Sequence, residues 1–138
     1  MTQNEKDLLL KDLCARLPYS VKGRVSRCDY NNRECEFVAT IDGKLYDRFA
    51  VVQESWYDNV TIKPYLFPLS SMTEEQKQEY TYIVNYISPD DTDNWKEGEF
   101  IYVEQFSQLM HFYHINHLDY MGLIPMGLAN DATGLNIY

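Results

Sequence analysis

Every histidine of the chain falls within seven residues: His111, His114 and His117 in the stretch HFYHINHLDY, with Asp119 just behind them. Three imidazoles and a carboxylate at such close quarters could hold a divalent ion and serve a metal-dependent hydrolase. Their spacing argues against it. A zinc helix of the His-Glu-x-x-His kind sets its ligands at i and i+4 with a glutamate between them. These histidines follow i, i+3, i+6, and no Glu separates His111 from His117. At about 100° per residue they span about 120° of a helix, too wide for one ion without strain. The Glu-x-x-His pair of di-iron bundles is missing too, because Ser107 stands where Glu104 would need a histidine. His117 is therefore read first as a capping or hydrogen-bonded core residue near a helix C-terminus, where the negative end of the dipole favours the cation. Metal ligation and acid-base chemistry are its rival roles.

The remaining chemistry-capable residues are sparser. Cys28 and Cys35 flank DYNNRE, and a tight turn at Asn31-Asn32 is expected to set them opposite each other on paired strands. That arrangement would permit a redox pair or half a zinc site, but six intervening residues are not the short Cys-x-x-Cys knuckle that zinc favours, so ordinary thiols are the reading. Asp90-Asp91 and Glu74-Glu75 read as solvated charges, the second pair well placed at a helix start. No Gly-x-Ser-x-Gly elbow, phosphate-binding glycine loop or dinucleotide fingerprint occurs. No catalytic residue and no cofactor is assigned.

Elements must position these groups, and periodicity supplies them. Leu9, Leu10, Leu13, Cys14 and Leu17 recur at helical spacing and predict a helix over about residues 4 to 16, ended by Pro18, with Cys14 on its apolar face. YSVKGRVSRC and ECEFVATID read as strands, Asp42-Gly43 as a hairpin signal leading into KLYDRFAVV, and NVTIKPYL as a fourth strand that Pro64 confines to an edge or a strand end. Ser71 and Glu74 form a capping-box pattern ahead of a second helix whose stripe is Tyr80, Ile83, Val84 and Ile87. SPDDTDNWKEGE reads as a polar connector broken by Pro89 and Gly98. A third helix is then expected from about Glu99 to His117, with Phe106, Met110, Tyr113 and His117 on its apolar side, His114 at the edge and His111 farther round. DYMGLIPMGLANDATGLNIY lacks either periodicity and is expected to form an extended tail laid over the body.

At 138 residues the chain has the length of one domain, able to bury roughly two thirds of its unfolded surface. Its 45% hydrophobic content is that of a globular protein, and its 12 tyrosines suit a half-exposed core boundary or a binding platform. The opening MTQNEKDLLLKDL is too charged for a signal peptide or anchor, and no window has the roughly 18 apolar residues of a membrane span. With three cysteines, an odd number, a soluble protein of the reducing cytoplasm is expected. The net charge is −9, and residues 59 to 138 hold 3 Lys+Arg against 11 Asp+Glu, with no base after Lys96. Such a balance disfavours direct nucleic-acid binding, which depends on lysine and arginine contacts to phosphate. Lys22 and Arg24 share a strand face opposite Glu34 and Glu36, where cross-strand ion pairs are expected.

LLLKDLCARLPYSVK, IKPYLFPLSSMTEEQK and HLDYMGLIPMGLA resemble a group of short uncharacterised proteins from gut anaerobic bacteria and their prophages or mobile elements. That group typically shows LLLKDLCARLPYGVK, KPYLRPMSSMTEEEK and HFDYRGLIxKGLA. The likeness covers both ends and the middle, and of the three histidines only His117, followed by Asp119-Tyr120, lies within it. It implies a phage or mobile-element origin and no particular chemistry. Phe67 and Met121 stand where the group usually carries Arg, so no role resting on those bases transfers.

These readings converge on one α+β domain over residues 1–138: a small twisted antiparallel sheet of three to five strands packed by an N-terminal and two C-terminal helices. The function expected is that of a non-catalytic accessory or regulatory protein of a mobile element, working through an unknown protein partner. Lys22, Arg24, Trp56 and Tyr120 are the interaction candidates. The alternatives are the metal-dependent hydrolase built on His111, His114, His117 and Asp119, and an acidic nucleic-acid mimic that occupies a host DNA-binding protein.

Overall fold

A computed structural model describes residues 2–28, 34–42, 61–84 and 95–138. Helix α1 covers Gln3–Arg16 and opens on a capping box in which Thr2 and Glu5 each accept from the other's backbone N–H. Its inward face is Leu9, Asp12, Leu13 and Arg16, an i, i+3, i+4, i+7 stripe. That stripe is turned away from the one expected. Leu10 and Cys14 face solvent, and an acid and a base take their places inside. Pro18 ends the helix in a 3-10 turn, Leu17–Tyr19.

Strands β1 (Lys22–Cys28) and β2 (Glu34–Thr40) pair antiparallel, and β3 (Thr61–Leu66) pairs antiparallel with the other edge of β1. The register joins Cys28 to Glu34 and Cys35 to Arg27, so the two cysteines are not the cross-strand partners expected. Gly23 lies where β1 passes beneath Ile41, and a Cβ there would sit 2.6 Å from the Ile41 Cδ1 atom and 3.3 Å from the Lys63 carbonyl oxygen. A side chain at Gly23 would therefore displace the core. Gly43 of the turn proposed at Asp42-Gly43 and the strand proposed after it lie outside the described residues.

Helix α2 (Glu74–Val84) carries its capping box on Thr73 and Gln76, not on Ser71 and Glu74. Ser71 instead donates to the Pro68 carbonyl oxygen. Ile83 is buried and Tyr80 half-buried as expected, while Val84 is exposed and Ile87 lies outside the described residues. Helix α3 (Trp95–Ile115) starts four residues earlier than expected and takes in Gly98, a residue that costs a helix interior about 1 kcal/mol without ending it. The Gln105 side-chain amide donates to the carbonyl oxygens of Ile83 and Val84, capping the last turn of α2 against α3.

After α3 the chain returns along β3. Phe67 N–H donates to the His117 carbonyl oxygen and Asp119 N–H to that of Phe67, both at 2.8 Å. Farther on, β4 (Asn130–Asp131) pairs parallel with Tyr65 and Leu66. The segment expected as an extended tail laid over the body is thus a ladder partner as well, and among the described residues the sheet is mixed, not purely antiparallel as expected, in the order β2-β1-β3-β4. Pro64, which has no N–H to donate, stands one residue before that parallel ladder begins. The α+β class and the placing of one helix before and two after the hairpin are as the sequence implies.

Two apolar clusters result. Leu9, Leu13, Val21, Ile41, Leu66, Leu123, Leu128 and Ala129 form one between α1, the sheet and the returning segment. Ile83, Phe112 and Leu118 centre the other between α2 and α3. Phe67 packs on the second and Met121 on the first. No helix among the described residues is long and apolar enough to cross a membrane.

Candidate functional site

The end of α3 and the turn after it gather most of the residues singled out by type. His117 does not belong to the helix. Its φ is +53°, its N–H donates to the His114 carbonyl oxygen, and the Leu118 N–H donates to that of Tyr113. This pair of bonds is the Schellman termination, with histidine at the left-handed position that glycine usually fills. The apolar side expected of α3 is also not the one that is buried. Phe106 is 63% exposed, whereas Phe112 and His114 are buried.

Arg16 occupies the centre of the polar cluster. Its Nε donates to Asp12 Oδ2 at 2.7 Å with both side chains fully buried, its Nη2 donates to the Leu118 carbonyl oxygen at 2.8 Å, and its guanidinium carbon lies 5.3 Å from the centre of the Tyr120 ring. Tyr120 in turn stacks on Tyr113 at 4.9 Å and shares a 2.9 Å hydrogen bond with His114 Nε2. Asp119 accepts from the N–H groups of Leu123 and Ile124, one to each oxygen, and so folds the segment that follows. His117 stacks at 3.6 Å on Tyr138, whose hydroxyl donates to the Tyr65 carbonyl oxygen and accepts from the Lys22 N–H. The Lys22 ammonium donates to the Ile137 carbonyl oxygen.

Electrostatics follow from this burial. His114 is pushed down to about 4 by burial, then by the fields of Arg16 and His111. His117 is pushed down to about 4 by burial, then by Arg16 and Lys22. Both are neutral near pH 7, so His117 ends the helix through its backbone and not as the cation favoured by the dipole. Burial pushes the Asp12 carboxyl up against the lowering pull of Arg16, and pushes Tyr138 up to about 12.

No protein-family model, curated protein or solved structure matches the chain. The geometry alone must carry the functional reading.

The three imidazoles do not converge. His111 shares a 3.0 Å hydrogen bond with the Tyr19 hydroxyl, His114 bonds Tyr120, and His117 stacks on Tyr138. Among the described residues, no group of three or more His, Cys, Asp or Glu side chains is placed to hold an ion. Asp119 is committed to backbone N–H groups. Arg24 stands apart, in an exposed 2.7 Å ion pair with Glu36, the cross-strand pairing expected. Trp56 lies outside the described residues.

Beside the cluster, α3 and the Leu17–Tyr19 turn bound an open groove of about 590 Å³. Phe106, Met110, His111 and His114 form one wall and Tyr19 the other, with the Tyr19 ring 5.5 Å from His111 and 5.2 Å from His114. Sequence reasoning missed Asp12, Arg16, Tyr19 and Tyr138. For the first two a signal was present, because an Asp and an Arg at i, i+4 share the stripe of Leu9 and Leu13.

Proposed function

We propose that the protein is a non-catalytic accessory module of phage or mobile-element type that acts through protein contacts at the groove between α3 and the Leu17–Tyr19 turn. The observation that supports this reading is a division of labour. His114, His117, Asp119 and Tyr120 are taken up in holding the returning C-terminal segment, while an exposed phenylalanine, a methionine and a tyrosine collect at an open groove. Aromatic residues and methionine are the types enriched at protein contact surfaces. The acidic second part supports a protein partner over direct contact with nucleic acid. The exposed Cys14 thiol supports action in a reducing cytoplasm.

Affinity capture from the source organism, comparing the wild-type chain with Phe106→Ala, tests the reading. Phe106 is exposed, so its loss should leave the fold intact. At least one protein should be retained by the wild type and lost by the variant. Identical capture profiles, with the variant folded, would remove the proposal.

A further inference from the structure

Tyr138 sits in its surroundings as a ligand sits in a site. Its ring stacks on the His117 imidazole at 3.6 Å and 13°, with the Phe67 ring 5.9 Å away. Its hydroxyl accepts from the Lys22 N–H at 2.9 Å and donates to the Tyr65 carbonyl oxygen at 2.7 Å. Lys22 and Tyr65 lie on β1 and β3, and His117 is tied to Phe67 by a backbone bond of its own. The segment that delivers Tyr138 is fixed at its two ends. Ala132 is buried and donates to the Leu66 carbonyl oxygen, whereas Thr133 to Asn136 are all exposed. Among the described residues no ladder pairing with the sheet follows Asp131. Gly134, with φ +76°, turns the chain there in open space. The Lys22 ammonium bond to the Ile137 carbonyl oxygen and the Tyr138 contacts hold the far end, and Tyr138 is itself 42% exposed.

We propose that the place beneath Tyr138 is a tyrosine-recognition site filled in cis, and that a tyrosine on an extended segment of a partner protein takes it by displacing residues 133–138. The contacts of Tyr138 specify that occupant. Phenylalanine would fit the stack but leave the Lys22 N–H and the Tyr65 carbonyl oxygen without partners. Tryptophan, a donor alone, answers only one of the two. The tether sets the threshold for displacement, because a plug linked through so short a segment competes at an effective concentration of about millimolar. The site shares no residue with the lining of the groove between α3 and the Leu17–Tyr19 turn, so the two proposals fail independently.

The experiment titrates the full chain, as wild type and as Tyr138→Ala, with N-acetyl-tyrosine amide and with N-acetyl-phenylalanine amide. NMR signals of the Lys22 amide and of the His117 and Phe67 rings report binding. The variant, its plug removed, should bind the tyrosine probe about tenfold or more tighter than the wild type does. It should prefer that probe over the phenylalanine probe by about fivefold or more. Equal affinity for the two probes, or a variant that binds no better than the wild type, would overturn the inference. A measurement on the wild type alone covers the case in which Tyr138→Ala does not fold. Native-state hydrogen exchange at the Lys22 N–H, which Tyr138 covers, should run through an opening about tenfold or more frequent than that at the Ala132 N–H. One common opening for both amides would mean that Tyr138 leaves only when the fold itself opens, and the inference would fall.

Discussion

The Arg16 guanidinium donates to the carbonyl oxygen of Leu118 at 2.8 Å, joining two residues 102 positions apart. Through this bond the first helix holds the turn that follows α3. Because Asp12 and Arg16 are both fully buried, the bond belongs to an ion pair taken out of water, whose loss is asymmetric.

Removing one member of that pair leaves the other charge buried and unpaired. Asp12→Asn or Arg16→Met should each destabilise the protein by about 3–5 kcal/mol in urea unfolding. The double change Asp12→Leu, Arg16→Met should lose clearly less than the sum, because no orphan charge remains. Single variants within about 1 kcal/mol of wild type would show that the pair contributes little.

The histidines should separate by burial and backbone. His114→Ala removes a buried ring and its bond to Tyr120 and should cost about 2–3 kcal/mol. His111→Ala, at an exposed ring, should cost under about 1 kcal/mol. At His117 the left-handed backbone is decisive. Val should be worse than Gly, since a β-branched side chain is poorly tolerated at φ +53°, although both lose the stack on Tyr138. Thermal melts in which Val and Gly are equal would remove the backbone argument.

Stability should fall between about pH 6.5 and pH 4. An unfolded histidine titrates near 6.5, whereas His114 and His117 titrate at about 4 in the fold. Over that range the unfolded state binds more protons, which favours unfolding as pH drops, by at most about 3 kcal/mol for each histidine. Asp12, whose carboxyl is raised by burial, holds its proton more readily when folded and offsets part of this loss in acid. Urea midpoints across the window should show a shallower slope for His114→Gln, and an unchanged slope would contradict the assignment.

Tyr138→Phe keeps the ring on His117 but leaves the Lys22 N–H and the Tyr65 carbonyl oxygen without their hydroxyl partner. It should cost about 1–2 kcal/mol, and Tyr138→Ala more. Amide exchange should quicken first at β4 and at Lys22. Unchanged exchange there would mean that Tyr138 does not hold the segment in place.

Purified protein should retain no stoichiometric zinc, manganese or iron after dialysis and size exclusion. One equivalent that survives in the wild type and is released by the double change His111→Ala, His114→Ala would restore the hydrolase reading.

The sequence by itself determined the elements whose causes are local. The stop at Pro18, the paired strands on either side of Asn31-Asn32, the helix after Thr73 and the α+β class all arise from residues within a turn or two of each other. Tertiary structure decided which faces are inside. The stripe of α1 includes Asp12 and Arg16 because Leu118 and Tyr120 return to meet them, and nothing near residue 16 announces that partner. Phe106 was expected inside and Phe112 is found there instead, because the surface of α3 that is buried depends on where α2 and Leu118 lie. His117 turns left-handed at a position where sequence favours glycine, held by the ladder to Phe67 and by Tyr138. Likewise β4 is two residues long and carries no period to read; only pairing with Tyr65 and Leu66 makes it a strand. Propensity and periodicity act between neighbours in the chain, whereas burial depends on which distant surfaces come into contact.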